Sequence, residues 1–153
     1  MSLRDQFISV FEPAMQEKGF ERKSNGTTYH RLVNGKIIQM ISYITLSHGY
    51  EFTVKFSILP LCLGGECSIY NDVDSLLSVF GVSSWESDDF YGFDKHIPTA
   101  LKSTEKHLFP LLDSIVDYVS FLQKLPERSL LARELIIKTV QAEIRESPLV
   151  QFL

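Results

Sequence analysis

The stretch TTYHRLVNGKIIQMISY, residues 27–43, carries the strongest fold signal in the chain. Two runs of strand-forming residues flank the pair Asn34-Gly35, and both members of such a pair tolerate the positive φ that a tight hairpin turn requires. The stretch therefore predicts two antiparallel strands joined by a two-residue turn. Apolar residues fall on both faces of this hairpin, which indicates that helices or loops cover part of each face.

The length of the turn sets the register of the hairpin and so the face on which each polar residue lies. A two-residue turn places His30 opposite Gln39 on one face and Arg31 with Tyr29 on the other. Two interpretations follow. In the first, Arg31 lays its stem over apolar neighbours and pairs with an acid from a helix, while His30 occupies the wetter face. In the second, Arg31, Tyr29 and Arg22 bind an anion or a carboxylate.

The N-terminal segment predicts an amphipathic helix. Ser2 is a suitable N-cap, apolar residues recur on one helical face over residues 3–15, and Gly19 supplies a left-handed stop. Pro13 lies inside this pattern and removes one backbone hydrogen bond, which predicts a kink or a short break.

The rest of the chain completes an α+β pattern. Residues 50–59, YEFTVKFSIL, alternate as a half-buried strand, and residues 67–70 offer a fourth strand. Two long helices are expected at about residues 98–125, with a kink or fresh start at Pro110, and at 126–146. We therefore expect a single α+β domain over residues 1–153, with an antiparallel sheet of about four strands and the N-terminal and two C-terminal helices packed on one face.

Composition and charge exclude several classes of protein. The 153 residues are 44% hydrophobic, and 15 Lys and Arg stand against 19 Asp and Glu for a net charge of −4. That balance is typical of a globular domain and argues against a nucleic-acid partner. Neither a signal peptide nor a membrane-spanning run is recognisable, so we expect a cytoplasmic protein that does not bind membranes.

No motif for catalysis, a cofactor or a metal is recognisable. The sequence has no nucleophile elbow, no phosphate-binding glycine loop and no dinucleotide fingerprint, which favours a non-enzymatic protein. Cys62 and Cys67 lack the second pair of ligands that a zinc site needs, and are expected to be structural thiols, with a redox pair as the alternative. Asp94 and His96 have suitable atoms for a metal, but their spacing fits no known metal loop.

The irregular segment at residues 82–98 alternates aromatic and acidic side chains. Aromatic side chains supply contact area at low entropic cost, and acids steer the encounter with a basic partner. The alternative interpretation is that the rings cap an open end of the core. The expected partner surface consists of Trp85, Asp88, Asp89 and Tyr91.

Several short motifs in residues 18–58 occur together in a recurring order. They are Lys18-Gly19-Phe20, the basic pair Arg22-Lys23, Tyr29 and Arg31, Gln39, Ser47, and Phe52-Thr53-Val54. In this order they resemble an uncharacterised bacterial family, a domain of unknown function. The resemblance implies the fold of the first sixty residues and brings no activity with it.

These observations favour a small, acidic, non-enzymatic protein-binding module of bacterial type. The alternative is a protein or enzyme that binds a small molecule or anion in a sheet-face pocket around Arg31. The final helix has two apolar flanks beside a polar stripe, so it is either wedged between core elements or shared in a homodimer.

Overall fold

The computed structural model describes residues 2–22, 26–46, 49–61, 69–72 (backbone only) and 90–124, together with positions 134, 137, 138 and 141. The elements are α1 (Leu3–Glu17), β1 (Glu21–Arg22), β2 (Thr28–Val33), β3 (Ile37–Leu46), β4 (Glu51–Pro60), β5 (Ile69–Asp72), β6 (Tyr91–Gly92), α2 (Ile97–Ser103), α3 (Phe109–Asp113) and α4 (Tyr118–Lys124). A 3₁₀ turn (Asp94–His96) precedes α2, and a π-helical turn (Thr104–Leu108) joins α2 to α3. The α+β class is confirmed.

The sheet is antiparallel, as expected, but has more strands than the four or so predicted. Its order is β1-β2-β3-β4-β5, and β6 pairs with β4 beside β5. The strands β1 and β6 are two residues long, too short to show a periodic pattern in the sequence. The longest pairing joins β3 to β4 over ten residues, so these two strands form the centre of the sheet.

The hairpin turn has the predicted conformation but is followed by an extra residue. Asn34 and Gly35 both have positive φ, at 53° and 66°, and the Lys36 N–H donates to the Val33 carbonyl at 3.0 Å. Val33 nevertheless pairs with Ile37. Lys36 is therefore an extra, bulged residue. The predicted two-residue turn would have paired Lys36 with Val33 instead.

The predicted register of the hairpin was wrong by one residue. Arg31 pairs with Gln39, and His30 pairs with Met40. Because alternate residues of a strand face opposite sides, this shift moves Gln39 to the face that carries Arg31. That face packs against the helices, and Gln39 is fully buried there.

Helix α1 confirms most of its prediction. The Asp5 N–H donates to Ser2 Oγ at 3.1 Å, and the helix continues through Pro13 without a break. At its end Gly19 has a φ of +83°, and the Phe20 N–H donates back to the Met15 carbonyl at 2.9 Å. This is a Schellman motif, which turns the chain sharply into β1.

The core lies between the sheet and the helices. In β4 the predicted alternation is confirmed over residues 51–56, but Ser57, expected on the wetted side, is buried, and Tyr50 precedes the strand and is exposed. Aromatic side chains from α1 and β3 stack in the core, with 4.4 Å between the ring centroids of Phe7 and Tyr43. The fully buried large side chains are Phe7, Phe11, Met15, Phe20, Tyr29, Ile37, Ile41, Phe52, Phe56, Ile58, Phe90 and Phe121.

The helix expected over about residues 98–125 is divided in the structure. The π-helical turn precedes Pro110, where a kink or fresh start was predicted, but a second division follows α3. There Ser120 Oγ accepts the N–H of Asp117 at 3.0 Å, and Asp117 Oδ1 accepts the N–H of Ser120 at 2.8 Å. This reciprocal cap begins a separate helix, so one long helix was the wrong prediction.

Most of the predicted final helix lies outside the described residues. Positions 134, 137, 138 and 141 are helical, and Ile137 packs against the core. Glu134, Lys138 and Gln141 are exposed, as the predicted polar stripe requires. No helix within the described ranges is long and apolar enough to cross a membrane.

The turn conformation predicts a position-specific cost. Replacing Gly35 by Val should lower the free energy of unfolding by about 1–2 kcal/mol, because a β-branched residue is strained at positive φ. Gly35→Asn should cost less, since asparagine tolerates this region. Urea unfolding of both variants measures the difference, and equal losses would contradict the conformational explanation.

Candidate functional site

The Arg31 guanidinium lies at the centre of a polar cluster that we call the clasp, formed by Arg31, Gln39, Asp113 and Lys18. Its Nε donates to Gln39 Oε1 at 2.8 Å, its Nη1 to the Lys18 carbonyl at 2.8 Å and its Nη2 to Asp113 Oδ1 at 2.9 Å. The side chain is 14% exposed. The first interpretation of Arg31, pairing with an acid from a helix, is confirmed.

Gln39 supplies the buried part of the clasp. Its Nε2 donates to the carbonyls of Leu112 at 2.7 Å and Ile115 at 2.8 Å, at the end of α3. The last carbonyls of a helix have no partner within the helix, and burying them unpaired is costly. The hairpin therefore caps the helix, and Asn34 extends this contact by donating from Nδ2 to the Val116 carbonyl at 3.0 Å.

Asp113 links the two cations of the clasp. Its Oδ2 accepts from Lys18 Nζ at 2.9 Å while its Oδ1 accepts from Arg31. Burial acts to raise the pKa of Asp113, but the hydrogen bonds and charges of Lys18 and Arg31 outweigh that effect and hold the pKa below its usual value. The carboxylate therefore stays ionised over the physiological range.

Aromatic rings support both cations. The Arg31 guanidinium carbon lies 4.5 Å from the ring centroid of Phe20, and Lys18 Nζ lies 5.6 Å from that of Phe109. The two rings stack on each other with 6.1 Å between centroids. Cation–π contacts of this kind hold the charged groups in place. The donors and faces of Arg31 are thus directed at the protein's own groups.

The other two residues of the predicted ligand site form a separate arrangement. Arg22 Nε donates to Glu12 Oε1 at 2.7 Å, and its Nη1 contacts the Gly26 carbonyl at 3.4 Å. Tyr29 pairs with Arg22 across β1 and β2 and is fully buried. Burial raises the pKa of Tyr29 to about 12, so its hydroxyl stays neutral. The hydrogen bonds described here join Arg22 to Glu12 and Arg31 to Gln39, Lys18 and Asp113, so they do not bring Arg22 and Arg31 to one group.

Of the predicted partner surface, Trp85, Asp88 and Asp89 lie outside the described residues. Tyr91 is 45% exposed, and its hydroxyl donates to Glu51 Oε2 at 2.6 Å. That hydrogen bond, with smaller effects of burial and of the Glu51 charge, raises the pKa of Tyr91. Tyr91 is thus an exposed aromatic residue held in one orientation.

Sequence reasoning missed a groove of about 430 Å³ beside Tyr91 and the start of β4. Its wall comes from the start of α1, the β3–β4 connection and the segment after β6, which are far apart in the sequence. The sequence pattern placed Tyr50 within the alternating strand, so it gave no indication of an exposed ring there. The described lining residues are Leu3, Gln6, Gly49, Tyr50, Phe93 and Asp94.

Asp94 and His96 hold the backbone of this wall. The Phe93 N–H donates to His96 Nδ1 at 2.9 Å, and the Lys95 N–H donates to Asp94 Oδ1 at 2.8 Å. Gly92 has a φ of +148°, and a Cβ there would lie 2.4 Å from His96 Nδ1. Within the described ranges, no group of three or more metal-ligating side chains is assembled.

Comparisons with protein-family models, with curated proteins and with solved structures find no match to this chain.

The buried role of Gln39 predicts a large effect of its removal. Gln39→Leu should lower the free energy of unfolding by about 3 kcal/mol, because the Ile115 carbonyl and Arg31 Nε lose the partner given above and the Leu112 carbonyl keeps only its bond from the Ile115 N–H. Thr28→Val is the matched control, since it removes the single half-buried hydrogen bond to Ser42 in the same hairpin. Its cost should be about 1 kcal/mol. Equal losses in urea unfolding would contradict the capping role.

The lowered pKa of Asp113 predicts a pH-dependent contribution to stability. The ionised carboxylate stabilises the fold fully above its usual pKa of 3.8, and this contribution is lost as the pH falls through the lower folded value. Asp113→Asn should therefore cost about 1 kcal/mol at pH 7, and less below pH 3.8. Unfolding curves of the two proteins from pH 2.5 to 7 measure this. A constant difference would contradict the ion-pair explanation.

Proposed function

We propose that the protein is a non-enzymatic binding module whose partner is another protein. The observation that carries the proposal is a set of exposed rings, which we call the aromatic end, formed by Tyr50, Tyr91 and Phe93. Their exposed fractions are 75%, 45% and 47%. Large aromatic side chains are usually mostly buried, and exposed groups of them mark interaction surfaces.

Strand pairing brings the aromatic end together. Thr53 pairs with Tyr91 across β4 and β6, so Tyr91 and Phe93 lie beside the residues that follow Tyr50. Aromatic side chains are enriched at the centres of protein interfaces, where they supply most of the binding free energy. Grouping three of them at one end of the sheet supports a protein partner.

The aromatic end is held in place before any partner binds. The Tyr91–Glu51 hydrogen bond fixes one ring, and the 3₁₀ turn, with His96 bonded to the Phe93 N–H, fixes the backbone of another. An ordered surface loses little conformational entropy on association. This supports recognition by a preformed surface.

The clasp favours a protein partner over the alternative, an anion or substrate site around Arg31. The three donors of Arg31 described above are bonded to Gln39, Lys18 and Asp113. Three of the five N–H groups of the guanidinium are thus bonded within the protein, and the side chain is only 14% exposed, which leaves little of it for a ligand. We therefore favour a protein partner, and extend the proposal to a cytoplasmic, bacterial setting in which Cys62 and Cys67 stay reduced.

A comparison of variants tests the function. The wild-type protein is immobilised on a resin and incubated with a lysate of its source organism. It should retain a protein that the Tyr50→Ala/Tyr91→Ala variant does not retain. Direct titration of the purified partner should then show binding weakened by about a hundredfold, since two interface aromatics contribute about 1–2 kcal/mol each.

Leu32→Ala is the matched control, because Leu32 is 58% exposed but lies towards the other end of the sheet. Its loss should leave binding unchanged. Equal retention by the double variant, or equal loss in the control, would overturn the proposed surface. Light scattering identifies the case in which the retained protein is a second copy of this chain.

A further inference from the structure

The groove at the aromatic end has a composition that selects for one kind of group. Tyr50 and Phe93 contribute exposed rings, and Leu3 contributes a half-buried apolar side chain. Among the described lining residues, Asp94 alone carries a formal charge. The groove therefore combines aromatic faces, an apolar wall and one carboxylate.

Each of these components favours a cation. The face of an aromatic ring is negative and attracts ammonium and guanidinium groups. Asp94 Oδ1 accepts one backbone N–H, from Lys95, while a carboxylate offers about four acceptor positions. Asp94 thus retains capacity for a charged donor. An anion would be repelled, and a purely apolar group would cover the carboxylate without adding to its hydrogen bond from the Lys95 N–H.

The dimensions favour a side chain with a long stem. A volume of about 430 Å³ exceeds what a small inorganic ion needs and accommodates the aliphatic stem and head of one arginine or lysine. The stem would pack against Leu3 and the rings while the head reaches Asp94. The net charge of −4 over the whole chain would attract a basic segment from a distance.

We propose that this groove binds an arginine or lysine side chain presented by a basic segment of the partner. The inference rests on the proposed function, since it specifies the partner class at the aromatic end. It assigns the carboxylate contact to Asp94 and the ring contacts to Tyr50 and Phe93.

Peptide titration followed by amide NMR tests the inference without the natural partner. The probe is the blocked peptide Gly-Gly-Arg-Gly-Gly, and its matched control carries citrulline, the neutral isostere of arginine. The arginine peptide should bind with a Kd on the order of 1 mM and shift the amides of Gly49, Tyr50 and Phe93. The citrulline peptide should bind at least fivefold more weakly.

Variants separate the roles of the two kinds of contact. Asp94→Asn and Tyr50→Ala should each weaken the arginine peptide by about fivefold to tenfold. Tyr50→Phe, which keeps the ring, should restore most of the affinity, and Leu32→Ala should leave it unchanged. The amide spectrum of each variant shows whether it is folded. If one of Asp94→Asn and Tyr50→Ala does not fold, the other is sufficient for the test.

Two failures can be told apart. Equal binding of the arginine and citrulline peptides, or shifts confined to residues outside the groove, would overturn the cation site even if the partner protein is still captured. Conversely, arginine-dependent shifts in the groove together with partner capture that ignores Tyr50 and Tyr91 would overturn the proposed function and leave the cation site standing.

Discussion

The buried amide of Gln39 is the constraint on which the arrangement of the helices depends. The helical segment that begins with α2 ends after α3, before α4 starts. The carbonyl groups of Leu112 and Ile115 at this helix end lie inside the protein. Such groups need donors, and water does not reach them. One side chain from the central strand supplies both hydrogen bonds, and its own oxygen is satisfied by Arg31. The sheet and the helix end can therefore pack together only in one register.

This constraint also divides the molecule into two regions. Arg31 joins the end of α1, the hairpin and the end of α3, so its donors serve the fold. The aromatic end lies at the opposite end of β3, since Tyr91 pairs with Thr53 and Thr53 pairs with Ile44, five residues or about 17 Å from Gln39 at the rise of a strand. A binding surface there can change its contacts without disturbing the clasp. Under the proposed function, stability and recognition depend on different residues of the same sheet.

The sequence allowed the local features of the fold to be predicted, because each depends on neighbouring residues. The Ser2 cap, the Gly19 stop and the positive φ values of Asn34 and Gly35 are of this kind. The register is different, since one extra residue at Lys36 reverses the faces and no local preference required it. Gln39 could be recognised as a buried core residue only once the correct register was known. The groove was beyond reach because its walls meet only in space.

Backbone conformation explains why the aromatic end is a preformed surface. Gly49 and Gly92 have φ values of +92° and +148°, which side chains with a Cβ rarely adopt. At Gly92 the absence of a Cβ also lets His96 approach and accept the Phe93 N–H. The backbone of Phe93 at the groove is therefore fixed by the bond to His96, and the ring of Tyr91 nearby is held by its bond to Glu51. If the aromatic end binds a partner as we propose, this constrained backbone leaves charge and ring contacts to set its selectivity, and the carboxylate of Asp94 would then favour a cationic group.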